Sequence, residues 1–271
     1  MSALPYCKYS NLRQGTWSAI AGTPVGDDYA IAQVGTFDPS AYVWIEETTI
    51  DLEVDLGAAV RVDGVLVVHA NFAEGVDLRA RLSATSGGAA DATVTAVTPA
   101  WRGRWSQNQY LNFAALYPTV GDRTRRYLRF DNTDANGTAV KIGALVIVGQ
   151  VDTIGVGLQI NAIPTTQHDA AWVRAKRGPK TMHDPRTRSR RWDGQLTLDN
   201  ADIAGWEALY DDTYGVIRPF VLWPENDLAE EGLLARMTDM AYAPVYALKH
   251  TTLKRKFARF GIEEVEFGEA H

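Results

Sequence analysis

The spacing of its apolar residues constrains this chain more than any other feature. Val, Ile, Leu and aromatic residues come in short runs separated by Gly, Asp, Asn and Pro, and they seldom recur at the interval of an amphipathic helix. The chain therefore reads as all-β, mainly strand with one short helix. Strands are expected at Ile50–Asp55, Val60–Ala70, Leu78–Ala84, Thr93–Val97, Arg126–Asn132 and Val140–Val148. A second series is expected at Gly155–Ile163, Trp192–Leu198, Gly215–Leu222, Leu233–Tyr242 and Phe257–Phe267. The helix is placed at Ala201–Tyr210, because Asn200 can cap it and Ile203, Trp206 and Leu209 or Tyr210 fall on one face. Alternation within the strands predicts that Leu52, Val54, Val65, Val67, Leu128 and Phe130 point inward.

The run ALVIVGQVDTIGVG, Ala144–Gly157, carries glycines between two apolar patterns and suggests a domain boundary near residue 150. Two units follow, 1–150 and a second β-rich unit, 151–271. With 271 residues, 46% of them apolar, the chain can build a core in both. The N-terminal residues lack the apolar run of a signal peptide and no stretch is long enough to span a bilayer, so synthesis in the cytoplasm and no membrane partner are expected. Cys7 stands alone and reads as a free thiol.

Charge is distributed unevenly. The chain holds 27 Lys and Arg against 33 Asp and Glu, a formal net charge of −6, yet Arg174–Trp192 alone carries eight bases and one acid, Asp184. The bases are Arg174, Lys176, Arg177, Lys180, Arg186, Arg188, Arg190 and Arg191. With Pro179 and Pro185 opposing helix, the segment reads as a basic loop. Two partners suit such a loop: nucleic acid, or an acidic protein surface that includes another copy of the chain. Trp192 is its one aromatic residue, and the rest of the chain repels phosphate, which favours protein over nucleic acid.

Catalytic signatures are missing: no nucleophile elbow, zinc-binding His pair, Walker loop or dinucleotide fingerprint occurs. His69, His168, His183, His250 and His271 are scattered, so neither a metal nor a cofactor is expected. Asn132-x-Asp134-x-Asn136-Gly137 copies the start of a calcium loop, but the twelfth position, which should be a bidentate acid, is Gly143. The segment reads instead as a connection between antiparallel strands, with Asn and Gly supplying positive φ angles. Asp51, Glu53 and Asp55 alternate along one strand and read as a solvated face. Trp101 and Trp105, in WRGRW, are candidate sugar-stacking residues.

Three stretches, TIDLEVDLGAAVRVDGVLVVHANF (49–72), LRARLSAT (78–85) and RRYLRFDNTDANGTAVKIGALVIVGQ (125–150), together resemble the galactose-binding-like, or discoidin-like, β-sandwich. Followed by an Arg-rich segment and RPFVLWPEND (218–227), the series is similar to structural proteins of the distal tail or baseplate of long-tailed bacteriophages. The resemblance implies an N-terminal jelly-roll sandwich and a second β-rich domain that assembles, with the basic loop, into a ring around the tail axis. It implies a virion location, other tail proteins as partners, DNA only as passing cargo, and neither cofactor nor catalysis. A carbohydrate-binding module that attaches to a host-surface glycan is the alternative.

Overall fold

The computed structural model describes residues 4–36, 42–87, 95–100, 122–154, 163–174, 181–198, 200–213, 217–223, 232–239 and 256–264. Among them the chain is strand with one α-helix. It opens with β1 (Leu4–Cys7), β2 (Leu12–Arg13), β3 (Thr16–Ala21) and, after short 3-10 turns, β4 (Val43–Ile45). The first half continues through β5 (Asp51–Arg61), β6 (Gly64–Ala70), β7 (Asp77–Ser83), β8 (Thr95–Pro99), β9 (Thr124–Asn132) and β10 (Val140–Val148). The second half holds β11 (Asp152–Ile154), β12 (Ile163–Arg174), β13 (Thr181–Leu198), helix α1 (Asn200–Asp212), β14 (Phe220–Leu222), β15 (Leu233–Asp239) and β16 (Lys256–Glu264).

Three antiparallel sheets result. The order β3-β5-β9-β7-β8 makes the first, and β2, β6 and β4 gather around β10 in the second. The third runs β11-β1-β14-β15-β16-β13-β12. The first two sheets pack face to face as a sandwich. Leu52, Val54, Val65, Val67, Leu128 and Phe130, the six residues expected inside, are each at most 1% exposed in its core.

Period-two alternation stacks the third sheet on this sandwich. Along β6 and β10, Val65, Val67, Leu145 and Ile147 face the sandwich core. Leu66, Val68, Ala144, Val146 and Val148 face the other way, onto Cys7, Val221, Trp223 and Leu234 of the third-sheet side. The opposite face of β1, β14 and β15 presents Tyr6, Phe220, Leu222, Ala235 and Met237 to Trp206 and Leu209 of α1. The layers thus run from five-stranded sheet to four-stranded sheet to one end of the seven-stranded sheet to helix.

Several expectations need revision. The Val60–Ala70 strand is two strands, because β5 ends at Arg61 and the chain turns at Val62 and Asp63 before β6. Asp63 is 2% exposed and holds that corner: Arg61 Nε and Nη2 each donate to it at 2.8 Å, and Val151 N at 3.0 Å. The glycine after the ALVIV run marks a close approach. Gly149 N donates to Asn11 O at 2.9 Å, and a Cβ there would lie 2.5 Å from that oxygen. Residues on both sides of position 150 contribute to the third sheet, since β1 pairs with β11 and β14. Of the strand expected at Gly155–Ile163, only Ile163 falls within the described residues.

Candidate assembly site

The basic segment is strand, where a loop was expected. Arg174 closes β12, and Arg186, Arg188, Arg190 and Arg191 lie on β13; Lys176, Arg177 and Lys180, at the connection, lie outside the described residues. Position Arg188 faces His168, Arg190 faces Thr166 and Arg191 faces Thr165. The register shifts between His168 and Ala170, which faces Pro185, so the extra residue of a β-bulge falls at Arg186 and Thr187. Pro185 lies at this irregularity, where a residue without an N–H is accommodated, and among the described residues the pairing of β13 with β16 begins at Arg191, opposite Glu263.

Among the described residues, the part of β13 from Thr181 to Arg190 pairs with β12. At about 3.3 Å per residue this β12–β13 ribbon runs roughly 30 Å past the last described pairing with β16. From Thr166 to Arg190 this ribbon and its connection contain seven bases against Asp169 and Asp184. Two-stranded hairpins by themselves are marginally stable in water.

Helix α1 lies toward the other end of the same sheet, over β1, β11, β14 and β15. Its sequence NADIAGWEALYDD contains four acids and no base. Trp206 and Leu209 are buried, while Glu207, Tyr210 and Asp211 are exposed. Asp212 accepts a hydrogen bond from Ser10 N at 2.9 Å.

The acidic face of β5 is more elaborate than a solvated strand. Asp51 sits opposite Asp131 of β9, and the pair is met by Arg79, Arg81 and Arg129. Arg79 Nε donates to Asp131 at 2.9 Å, while Arg81 to Asp131 and Arg129 to Asp51 are close ion pairs. Glu53, only 5% exposed, accepts from Ser86 Oγ at 2.7 Å and Gly87 N at 2.9 Å. Asp55 is joined by both Arg126 nitrogens at 2.8 Å, and hydrogen bonding to Arg126 lowers its pKa to about 2. Acids and arginines balance here, so the face works as a brace for the sheet.

The calcium-like segment connects two strands, as expected, and these belong to different sheets, β9 to one and β10 to the other. Its asparagines are struts. Asn132 Oδ1 accepts from Ile50 N at 2.7 Å, and Asn136 Oδ1 accepts from Ala73 N at 2.7 Å. Gly137 takes the positive φ of 76° that the turn needs. Among the described residues no group of three or more His, Cys, Asp or Glu could hold a metal ion, and no helix is long and apolar enough to cross a membrane.

Trp101, Trp105, His250 and His271 lie outside the described residues; His69 is in β6, His168 in β12 and His183 in β13. A different aromatic group, not singled out in the sequence, stands at the β4 edge. Tyr29 and Tyr42 have ring centroids 4.9 Å apart, Trp44 meets Tyr29 edge-on at 5.4 Å, and Lys141 Nζ lies 4.6 Å from the Trp44 centroid. Desolvation, with a hydrogen bond to Tyr29, pushes the Tyr42 hydroxyl up to about 12. Its signal in the sequence is faint, because Tyr29 is separated from YVW by residues with no aromatic pattern.

No family model matches the chain, and no curated protein matches it. Solved structures similar to it include chitosan-binding module 1 derived from a chitosanase/glucanase of Paenibacillus sp. IK-5, at 14% identity and TM-score 0.35, covering 51% of this chain and 96% of that one. The lectin domain of lectinolysin complexed with Lewis B antigen is similar at 13% identity and TM-score 0.36, covering 51% and 94%. CBM32-3 from a family 31 glycoside hydrolase of Clostridium perfringens gives 12% and 0.39, covering 54% and 95%. These likenesses are too slight to bear on function. The class that the fold itself defines is an all-β protein, a sandwich stacked on a second sheet that carries a basic ribbon.

Proposed function

We propose that this chain is a non-enzymatic assembly protein that self-associates through the β12–β13 ribbon, in the setting implied by the sequence resemblance, a phage tail tip or baseplate. The observation that carries the reading is the ribbon itself: a cationic arm built from the antiparallel β12–β13 pair on an otherwise acidic chain. Such an arm gains stability by docking, and opposite charges on two protein surfaces set register and speed encounter. The reading is tested with Arg186→Glu, Arg188→Glu and Arg190→Glu combined. Native mass spectrometry should find oligomers of wild type and monomers of the variant, with matching circular dichroism melts. A wild type that stays monomeric at every concentration overturns it, as does a salt-dependent DNA affinity that accounts for the arm instead.

A second reading, glycan recognition by the sandwich, is favoured by the Tyr29–Tyr42–Trp44 group with its neighbouring Lys141. Aromatic faces beside polar side chains suit a sugar ring. A glycan array probed with wild type and Trp44→Ala tests it. Binding lost in the variant supports the reading, and an array with no binding removes it.

A further inference from the structure

We propose that Asn136 is a modification site gated by the fold. Its side chain cyclises onto the Gly137 nitrogen and loses ammonia only when the loops at one end of the sandwich open, and the product keeps those loops from closing again.

The reactive pair is visible in the sequence. Asn136-Gly137 is the chain's single Asn-Gly dipeptide. Glycine has no Cβ to shield its nitrogen or restrict its backbone, so in an open chain that nitrogen readily reaches the side-chain carbonyl before it. Gly137 is exposed, and a Cβ built on it would meet nothing within 4 Å. The reaction needs only water. The Gly137 nitrogen gives up its proton and bonds to Asn136 Cγ, the bond from Cγ to Nδ2 breaks, and Nδ2 leaves as ammonia. Water then opens the imide at either carbonyl, leaving aspartate or isoaspartate at position 136; nothing is oxidised or reduced.

The gate is made of hydrogen bonds. Asn136 is 3% exposed, although Ala135, Gly137 and Thr138 beside it are exposed. Its Oδ1 accepts from Ala73 N at 2.7 Å, and its Nδ2 donates to Asn71 O at 3.3 Å and Thr138 O at 3.2 Å. Its backbone N–H donates to Thr48 O at 2.8 Å. Cyclisation swings the side chain onto the Gly137 nitrogen, so the side-chain bonds must break first. Their partners lie on the link from β6 to β7 and on the link from β9 to β10, while Thr48 lies on the link from β4 to β5. The reaction therefore requires this loop end to open as a unit, a local unfolding and more than the motion of one side chain.

The same contacts make the conversion one-way. A carboxylate has no donor for Asn71 O or Thr138 O, and it places a charge where a buried amide stood. Isoaspartate also lengthens the main chain by one carbon, next to a glycine already held at φ 76°.

The test incubates the full chain in mildly alkaline buffer, native and in guanidinium chloride, and maps both by mass spectrometry after digestion in acid. Conversion at Asn136 should be slower in the native chain by roughly tenfold or more, because only the open fraction reacts. In the unfolded chain it should outpace Asn132, whose successor Thr133 is β-branched. Asn71→Ala removes the Asn71 bonds to Ala139 O and Lys141 N and should speed the reaction in a chain that circular dichroism shows to be folded. Converted chain returned to native conditions, and Asn136→Asp made directly, should both melt below wild type. Native conversion at the unfolded rate overturns the gate, as does a folded Asn71→Ala that reacts no faster than wild type; if Asn71→Ala does not fold, the wild-type comparison alone decides. An unfolded chain that leaves Asn136 intact, or converts Asn132 as fast, overturns the site. Products that melt like wild type overturn the one-way step.

Discussion

Replacing Trp223 by Ala removes the largest side chain between the sandwich and the third sheet. Trp223 is 0% exposed and belongs to the cluster in which Leu66, Val68, Val146 and Val148 of the four-stranded sheet meet Cys7, Val221 and Leu234. It follows β14 directly and its N–H donates to Pro5 O at 3.1 Å, so the backbone is held and the site cannot collapse freely. A buried indole removes roughly 150–250 Å² from water, which at about 25 cal/mol per Å² is ~4–6 kcal/mol. Large-to-small substitutions of buried aromatics cost ~3–5 kcal/mol, and that range is expected here. For a chain of this size the fall in Tm is on the order of 10 °C. Differential scanning calorimetry and near-ultraviolet circular dichroism should show it. Because the residue joins two layers, sandwich and third sheet should lose stability together in a single transition. A loss below about 1 kcal/mol, or a sandwich that melts unchanged while the rest unfolds early, would refute the layered packing.

The same interface predicts that residues 1–150 alone expose Leu66, Val68, Ala144, Val146 and Val148 and strand β1 without partners; the fragment should bind a hydrophobic dye and aggregate, and a clean, dye-free monomer would contradict this. Asn132→Ala should cost ~1–3 kcal/mol by leaving Ile50 N and Thr48 O without their side-chain partner, while added calcium leaves the wild-type Tm unchanged; chemical denaturation and melts read both. Asp55 has a folded pKa lowered to about 2, so its stabilising pairing is complete above the ordinary carboxylate range and is lost as pH falls toward 2; NMR titration should find that midpoint, and Arg126→Ala should raise it. Burial pushes the Cys7 thiol up to about 12, so a thiol reagent should label it only after unfolding, and rapid labelling of the native chain would count against its placement.

The strands of the sandwich were legible because half-buried strands announce themselves by alternation. Leu52 and Val54 point inward between Asp51, Glu53 and Asp55, and that pattern is enough to assign both the strand and its faces. The ALVIV run of β10 reads differently for the opposite reason. A strand covered on both faces has no alternation, and an uninterrupted apolar run ending in glycine resembles a boundary. The run instead reflects two partners, the sandwich core on one side and Trp223 with Leu234 on the other. Strand β1 is four residues long and pairs with β11 and β14, far along the chain, so no local pattern could reveal its sheet.

The candidate site was only partly legible. The density of bases was plain in the sequence, but their conformation was not: Pro185 and the run of like charges suggested a loop, whereas an antiparallel partner and a bulge accommodate both within a strand. Helix α1 was placed almost correctly by Ile203, Trp206 and Leu209. Which strands it covers was not legible, because sheet order is not written in any local stretch. The charges of Asp51 and Glu53 were visible too, but the arginines and the 86–87 turn that meet them come from β7, β9 and the segment after β7.

The most direct measurement is a distance between copies. The chain, spin-labelled at Thr187→Cys on the ribbon, is examined by pulsed dipolar spectroscopy over a range of concentrations, with native Cys7 protected by burial. The account predicts a defined intermolecular distance between labels that disappears when high salt screens the charges. An assembled sample with no such distance, or a chain that never associates, would contradict it.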